Sequence, residues 1–229
     1  MPLRLLACLT AGLIAAALVG CGSSGSSSST SALASEAPQT ILNSTLGAAN
    51  SLKSVHAAGS IDSGGQHINL DLNLLDGVGG RGQITLNGLA FQLVGLGKYA
   101  YLKAPAQVWE KAGAPATAAQ ALDGKWLRTP ASGQFASIAQ LTDIHQLFAQ
   151  LLKPHGKLKT GGTSTVAGQK VVAITSSEGT LYVAATGKPY PVQLAKSGTN
   201  GGHLTFDHFN DSISVKAPSN TIDLPQSNG

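Results

Sequence analysis

The sequence predicts an α+β domain in which helices cover one face of an antiparallel sheet. Several segments alternate apolar and polar residues, most clearly residues 68–74, where every even position is apolar. Residues 142–153 instead carry their apolar side chains at helical spacing. The order of these patterns along the chain is helix, strands, helices, strands, which is typical of the α+β class.

The first element is an amphipathic helix over roughly residues 40–53. Ile41, Leu42, Leu46 and Leu52 fall near one side at helical spacing, and polar residues occupy the rest of the surface. We expect this helix to pack on the sheet.

Four strands follow as a meander. Residues 68–74 and 83–87 are predicted to pair as a hairpin around the turn at residues 76–80. Residues 89–94 and 98–102 continue the alternation after short glycine-containing turns. Antiparallel pairing is the natural result of such short connections.

The middle of the chain, with Pro105 and Pro115, breaks this rhythm, and the clearest helix follows it. Residues 142–153 are predicted to be helical, with Thr142 as the N-cap and Pro154 with Gly156 as the stop. The preceding residues 135–141 are predicted to form a separate helical turn or a lid. Six strands are then predicted, at residues 157–166, 169–176, 179–185, 192–197, 203–209 and 212–216.

The N-terminus carries a targeting signal. Arg4 and an apolar stretch of about fifteen residues precede the run Leu18-Val19-Gly20-Cys21, which resembles a bacterial lipobox. The resemblance implies that residues 1–20 are a lipoprotein signal peptide and that Cys21 becomes the lipidated N-terminus. The stretch falls short of the ~20 residues that span a membrane, so it is not predicted to be a transmembrane helix. The alternative to a lipoprotein signal is an ordinary secretory signal or a short buried helix. The Gly/Ser-rich residues 21–35 then form a flexible tether.

Composition and motifs argue against several functions. The net charge of +4 is small and no Lys/Arg cluster of the nucleic-acid-binding type occurs. The chain has no Gly-x-Ser-x-Gly, His-Glu-x-x-His or phosphate-loop motif, and its six histidines are scattered. Asp207 and His208 are adjacent, so on a strand they would face apart, and we interpret them as surface residues rather than part of a triad. We therefore predict no enzyme activity, no cofactor and no metal site.

The body of the chain, residues 36–226, resembles the LppX/LprG group of mycobacterial envelope lipoproteins and, more distantly, the LolA/LolB carriers. The likeness lies in the order of several short patterns together with the lipobox. These patterns are Ser54-Val55-His56, residues 99–102, Trp126-Leu127, residues 147–156, residues 166–171 and residues 187–192.

This resemblance implies a curved half-barrel sheet wrapped around helices, with an apolar cavity for lipid or glycolipid acyl chains. It implies a protein that is anchored at the extracytoplasmic face of the cell membrane and carries lipid within the envelope, with an envelope transporter as a candidate partner. The candidate cavity residues are Ile68, Leu70, Leu72, Leu74, Ile84, Leu86, Phe91, Leu93, Ile144, Leu147, Phe148 and Leu151.

The residues alone leave a second possibility open. The same side chains can close on each other as a solid core, as in most domains that pack helices on a sheet. The chain would then be a structural or adaptor lipoprotein of the envelope that carries no lipid.

Overall fold

The computed structural model describes residues 30–154, 156–198 and 200–224. Within them lie six α-helices and one short 3₁₀ turn at Gly133–Phe135. The helices are α1 (Thr30–Ala34), α2 (Pro38–Ala49), α3 (Ala106–Lys111), α4 (Ala116–Leu122), α5 (Ala136–Leu141) and α6 (Ile144–Leu151).

The strands form a single twelve-stranded sheet. They are β1 (Ser54–Ser63), β2 (Gln66–Leu75), β3 (Gly79–Leu86), β4 (Leu89–Leu96), β5 (Tyr99–Lys103), β6 (Trp126–Pro130), β7 (Lys159–Val166), β8 (Gln169–Thr175), β9 (Thr180–Ala184), β10 (Pro191–Lys196), β11 (Gly202–Asp207) and β12 (Thr221–Asp223).

Two antiparallel meanders build this sheet. Strands β1 to β6 run outward in sequence order on one side, and β11 back to β7 run outward on the other, with β1 paired to β11 in the middle. The β12 strand adds to β6 in parallel. The sheet is open, with β12 and β7 at its edges, and it curves around the helices as a half-barrel. This confirms the predicted fold class.

The main core lies between the inner face of the sheet and helices α2, α5 and α6. Ile41 of α2 and Phe148 of α6 are fully buried there, and the Phe148 ring lies 5.0 Å from that of Phe206 on β11. The buried hydroxyl of Thr45 donates to the Ile41 carbonyl at 2.8 Å, so this polar group is satisfied within its own helix.

The C-terminal segment crosses the outer face of the sheet. Residues 208–220 lead from β11 to β12, which lie on opposite sides of the six strands β1 to β6. Val215 is buried on this outer face against Val94 and Tyr101. At the start of the segment, the Ser54 hydroxyl donates to the Asp211 carbonyl at 2.6 Å.

The predicted start of the folded domain needs correction, and the other predicted boundaries lie outside the described residues. The tether was predicted to reach residue 35, but Thr30–Ala34 is helical and Leu33 is buried in the main core. The folded domain therefore begins by residue 30, not 36, because an apolar side chain anchors this segment to β7 and β8. The signal peptide, Cys21 and residues 225–226 lie outside the described residues.

Two further predictions of local structure were wrong, and two strands were missed. The N-cap of α6 is Asp143, whose carboxylate accepts from the Gln146 amide at 2.9 Å, while Thr142 ends α5 and donates to the Ile138 carbonyl. Residues 212–216 form no strand, because they lie across the outer face instead of pairing at an edge. The strands β6 and β12 were not predicted.

Candidate functional site

The two ends of the half-barrel differ in how well the inner face is covered. Along β2, Leu74 and Leu72 are fully buried, whereas Leu70 and Ile68 are half-exposed. The gradient runs the same way in space along β4, from buried Leu93 to half-exposed Phe91 and Leu89. We call the end near the turns at residues 76–78 and 97–98 the closed end, and the end near residues 64–65 and 87–88 the open end.

The closed end is covered by the junction of α5 and α6, beside which lies a smaller pocket of about 240 Å³. Thr142 sits directly over Gly95 of β4, where any side chain would collide with it, and close to Gly80 of β3, where a Cβ atom would lie 3.2 Å from the Thr142 Cβ. Farther along, the His145 Nε2 atom lies 2.9 Å from Asp76 Oδ1 in the β2–β3 turn, which ties the start of α6 to the sheet.

The open end holds two pockets of the size that small-molecule sites have. The first, which we call the N-terminal pocket, has a volume of about 470 Å³ and lies between β3, β4 and α3. Its apolar lining is Leu86, Leu89, Phe91 and Val108, and Lys111 and Gln66 stand among its polar groups.

The second, the C-terminal pocket, has a volume of about 290 Å³ and lies between the end of α6 and strands β8 to β10. Its apolar lining is Leu42, Leu151, Leu152, Leu158, Ile174, Leu181 and Leu194. Lys196 pairs with Gly202, and Gly202 with Ile61, so this pocket opens at the same end as the β1–β2 turn. At its edge the Lys196 Nζ atom lies 3.3 Å from Glu178 Oε2.

The twelve predicted cavity residues divide between the two ends. Leu86 and Phe91 line the N-terminal pocket and Leu151 lines the C-terminal pocket. Another three are half-exposed on the inner face near the open end, namely Ile68, Leu70 and Ile84. The remaining six are buried in the main core and line neither pocket, namely Leu72, Leu74, Leu93, Ile144, Leu147 and Phe148. For these six a ligand contact stays a prediction.

Sequence reasoning missed part of the pocket lining. Leu89 belongs to a predicted strand and continues the inner-face row, because it pairs with Leu86, so the alternation signal was available. Val108, Leu158 and Leu194 come from segments whose neighbours in space are distant in sequence. A pattern within one segment cannot identify such contacts.

A cluster of histidines and carboxylates lies on the outer face, away from both pockets. His56 Nδ1 lies 2.7 Å from Asp207 Oδ1, and His56 Nε2 lies 3.2 Å from Asp71 Oδ1. Strand β11 ends at Asp207 and His208 has a positive φ of 51°, so Asp207 and His208 both reach His56 and do not face apart as predicted. Both ring nitrogens of His56 are therefore engaged by carboxylates.

The charges of this cluster stabilise one another at the surface. The carboxylate of Asp211 lies 2.9 Å from His208 Nδ1 and, with a smaller contribution from Asp207, raises the pKa of His208 above its ordinary value of 6.5. Among residues 30–154, 156–198 and 200–224, no group of His, Cys, Asp or Glu is arranged to hold a metal ion. No helix in these same segments has the length and apolarity needed to cross a bilayer.

Comparison with solved structures identifies the fold. LprF from Mycobacterium bovis aligns with a TM-score of 0.57 at 12% identity, over 79% of this chain and 96% of that one. The lipoprotein LppX from Mycobacterium tuberculosis aligns with a TM-score of 0.50 at 18% identity, over 78% of this chain and 98% of that one. The chain has the LppX-type fold.

Comparisons of the sequence itself find no relative. No protein-family model matches the chain, and no curated protein matches it. A LolA superfamily protein from Nitrosomonas europaea aligns with a TM-score of only 0.26, which is too low to extend the likeness to the LolA carriers.

Proposed function

We propose that this protein is a membrane-anchored lipoprotein that binds lipid or glycolipid acyl chains at the open end of the half-barrel and carries them within the cell envelope. One observation carries the proposal: large apolar side chains of the inner face stay half-exposed at one end, where two pockets open. Half-exposed apolar surface in a concave site is what an acyl chain would cover.

The energetics explain why a carrier needs such a surface. A sixteen-carbon chain exposed to water costs on the order of 13 kcal/mol, at ~0.8 kcal/mol per methylene, so escape from a membrane is slow without a replacement for that burial. Leu86, Leu89 and Phe91 in one pocket and Leu151, Leu158 and Leu194 in the other offer this replacement. Binding of this kind requires no catalytic group.

The anchor completes the proposed function. Cleavage before Cys21 and diacylation of its thiol would hold the domain at the extracytoplasmic face of the membrane, since two acyl chains give stable attachment where one gives only marginal binding. An envelope transporter is the partner we propose for the loaded protein. The lipobox and the LppX-type fold support these assignments.

Lipid analysis with a charged pocket variant tests the proposal. The full chain is purified from a lipid-rich host, and organic extracts are analysed by mass spectrometry. Leu86→Glu places a carboxylate in the N-terminal pocket and should lower the co-purified acyl lipid by about tenfold or more, because an acyl chain bound there would strip water from the charged group. Leu194→Glu tests the C-terminal pocket in the same way.

Val78→Glu is the matched control, since Val78 is exposed in the β2–β3 turn at the closed end. It should leave the bound lipid unchanged. Wild-type preparations without stoichiometric lipid, combined with no uptake of a fluorescent fatty acid, would refute lipid binding. That result would favour the second candidate, a structural or adaptor lipoprotein, which the packing of Phe148 against Phe206 at the core supports.

A further inference from the structure

The segment between α6 and β7 places lysines beside the C-terminal pocket. Lys153, Lys157 and Lys159 are exposed, and Leu158 between the last two turns into the pocket lining. Lys196 stands on the opposite edge of the same pocket. We call these four lysines the lysine rim.

The rim has more positive charge than its surroundings neutralise. Glu178 pairs with Lys196, and Glu36 lies nearby, because its carbonyl accepts from the Thr160 hydroxyl at 3.1 Å. Within the described parts of the chain, Lys153, Lys157 and Lys159 have no carboxylate within ion-pair distance. An apolar opening flanked by four lysines, three of them without a carboxylate partner, matches a membrane surface, in which acyl chains lie beneath anionic headgroups.

The position of the N-terminus indicates which surface the lysine rim would bind. The described chain begins in α1, which packs on β7 and β8, and Glu36 just after it lies at the open end. Helix and chain geometry keep Thr30 within about 15 Å of Glu36. The 29 residues before Thr30, with the proposed lipid at Cys21, therefore join the domain near the lysine rim.

We propose that the lysine rim docks the open end of the half-barrel on the headgroups of an anionic phospholipid bilayer. The inference rests on the proposed function, since it gives the anchored domain an orientation in which the pockets face the membrane that supplies or receives the acyl chains. This bilayer is the same membrane in which the proposed lipid anchor at Cys21 is inserted. Each lysine near an anionic surface should contribute about fivefold to the partition toward it.

Depth-dependent quenching tests the orientation. The lipidated chain is reconstituted in vesicles of phosphatidylcholine with phosphatidylglycerol, and spin-labelled lipids in the bilayer quench a fluorophore on a single introduced thiol. Ser177→Cys reports on the open end and Thr186→Cys on the opposite end, and both positions are exposed. The expected result is severalfold stronger quenching at position 177, which falls toward equality in vesicles of phosphatidylcholine alone.

Charge variants then assign the effect to the rim. Lys153→Gln with Lys157→Gln and Lys159→Gln should bring the two positions to equal quenching. Lys53→Gln with Lys170→Gln and Lys188→Gln removes the same charge from the closed end and should change nothing. Equal quenching at both positions in the wild-type chain would overturn the inference, and so would an asymmetry that survives neutralisation of the rim, since the anchor alone would then set the orientation.

Lipid content separates this inference from the function it rests on. If the rim variant retains its co-purified acyl lipid while the wild-type chain shows no preferred orientation, docking fails and lipid binding stands. If no variant carries lipid, lipid binding itself fails.

Discussion

At the scale of single residues, the closed end depends on two glycines. Gly80 and Gly95 leave room for Thr142, which connects α5 to α6, to approach the inner face of the sheet. A Cβ atom on Gly95 would come within 2.8 Å of the Thr142 Cβ, closer than real Cβ contacts allow. The position of two glycines at this spot therefore lets the helical layer sit directly on the sheet.

Adding one methyl group at Gly95 should separate these layers. We expect Gly95→Ala to lower the free energy of unfolding by about 1–3 kcal/mol, the usual effect of overpacking in a tight core, measured by urea denaturation. Gly47→Ala is the control, because Gly47 lies on the exposed side of α2 with open space around it. It should stabilise by roughly 0.5–1 kcal/mol. Equal stability of Gly95→Ala and the wild type would show that Thr142 does not pack there.

This packing was not predictable from sequence. Gly80 and Gly95 each occur within or next to an alternating pattern, where a glycine reads only as a turn or a weak point of a strand. The reason for these two glycines is their contact with Thr142, which lies far along the chain. Thr142 was itself predicted to be an N-cap. The N-cap function falls on the adjacent Asp143, and sequence offered two suitable capping residues side by side.

At the scale of elements, local pairing determines what sequence can predict. Strands β2 to β5 were found because each pairs with its neighbour across a short turn, so one alternating pattern follows another. Residues 212–216 alternate as well, yet Val215 packs on the outer face and no ladder forms. The parallel β12–β6 pair joins segments nearly a hundred residues apart, and nothing in either segment indicates the partner.

The β12–β6 pair should depend on pH through one ion pair. Arg128 Nη2 donates to Asp223 Oδ2 at 2.7 Å, and this interaction holds the pKa of Asp223 below its ordinary value of 3.8. A depressed pKa means that the pairing stabilises the folded form above about pH 4 and that this contribution is lost as pH falls through the folded value. Because both groups are exposed, the effect is local, not global.

Amide exchange measures that local effect. The Leu224 amide donates to the Arg128 carbonyl at 2.9 Å, so its protection factor reports whether β12 is docked. Protection should stay constant from neutral pH to about pH 4 and decline below it, and Asp223→Asn should show the lower protection throughout. Glu178→Gln removes a remote exposed ion pair and should leave the Leu224 amide unaffected. Protection that does not change below pH 4 would exclude a role for this ion pair.

At the scale of the whole molecule, the inner face of the half-barrel is covered by helices at the closed end and left partly uncovered at the open end. Sequence patterns predicted the sheet, the inner face and the class of fold, because each depends on the period of a single segment. Which end is uncovered depends on how far α2, α3 and α6 extend over the strands, and no segment encodes that alone. Of the twelve predicted cavity residues, six consequently belong to the core, three line a pocket and three are half-exposed near the open end.

The N-terminal helix α1 belongs to the folded domain because of where it packs on the sheet. Leu33 of α1 is buried at the edge of the main core, where α1 contacts β7 and β8. Edge strands expose unpaired backbone groups, and a short helix packed against β7 and β8 covers apolar surface at that side of the sheet. Residues 30–35 therefore belong to the folded domain and not to a flexible tether.

Leu33→Ala should accordingly destabilise the domain, although position 33 falls within the predicted tether. We expect a loss of about 2 kcal/mol in the free energy of unfolding, the lower part of the range for buried leucines, because α1 lies at the periphery. Urea denaturation of the full chain measures it, with an unchanged slope showing that the same surface unfolds. Val78→Ala removes a comparable apolar side chain from an exposed turn and should cost less than about 0.5 kcal/mol. If both variants are as stable as the wild type, α1 does not contribute to the folded domain, and the tether then extends through residue 35 as the Gly/Ser-rich composition alone suggests.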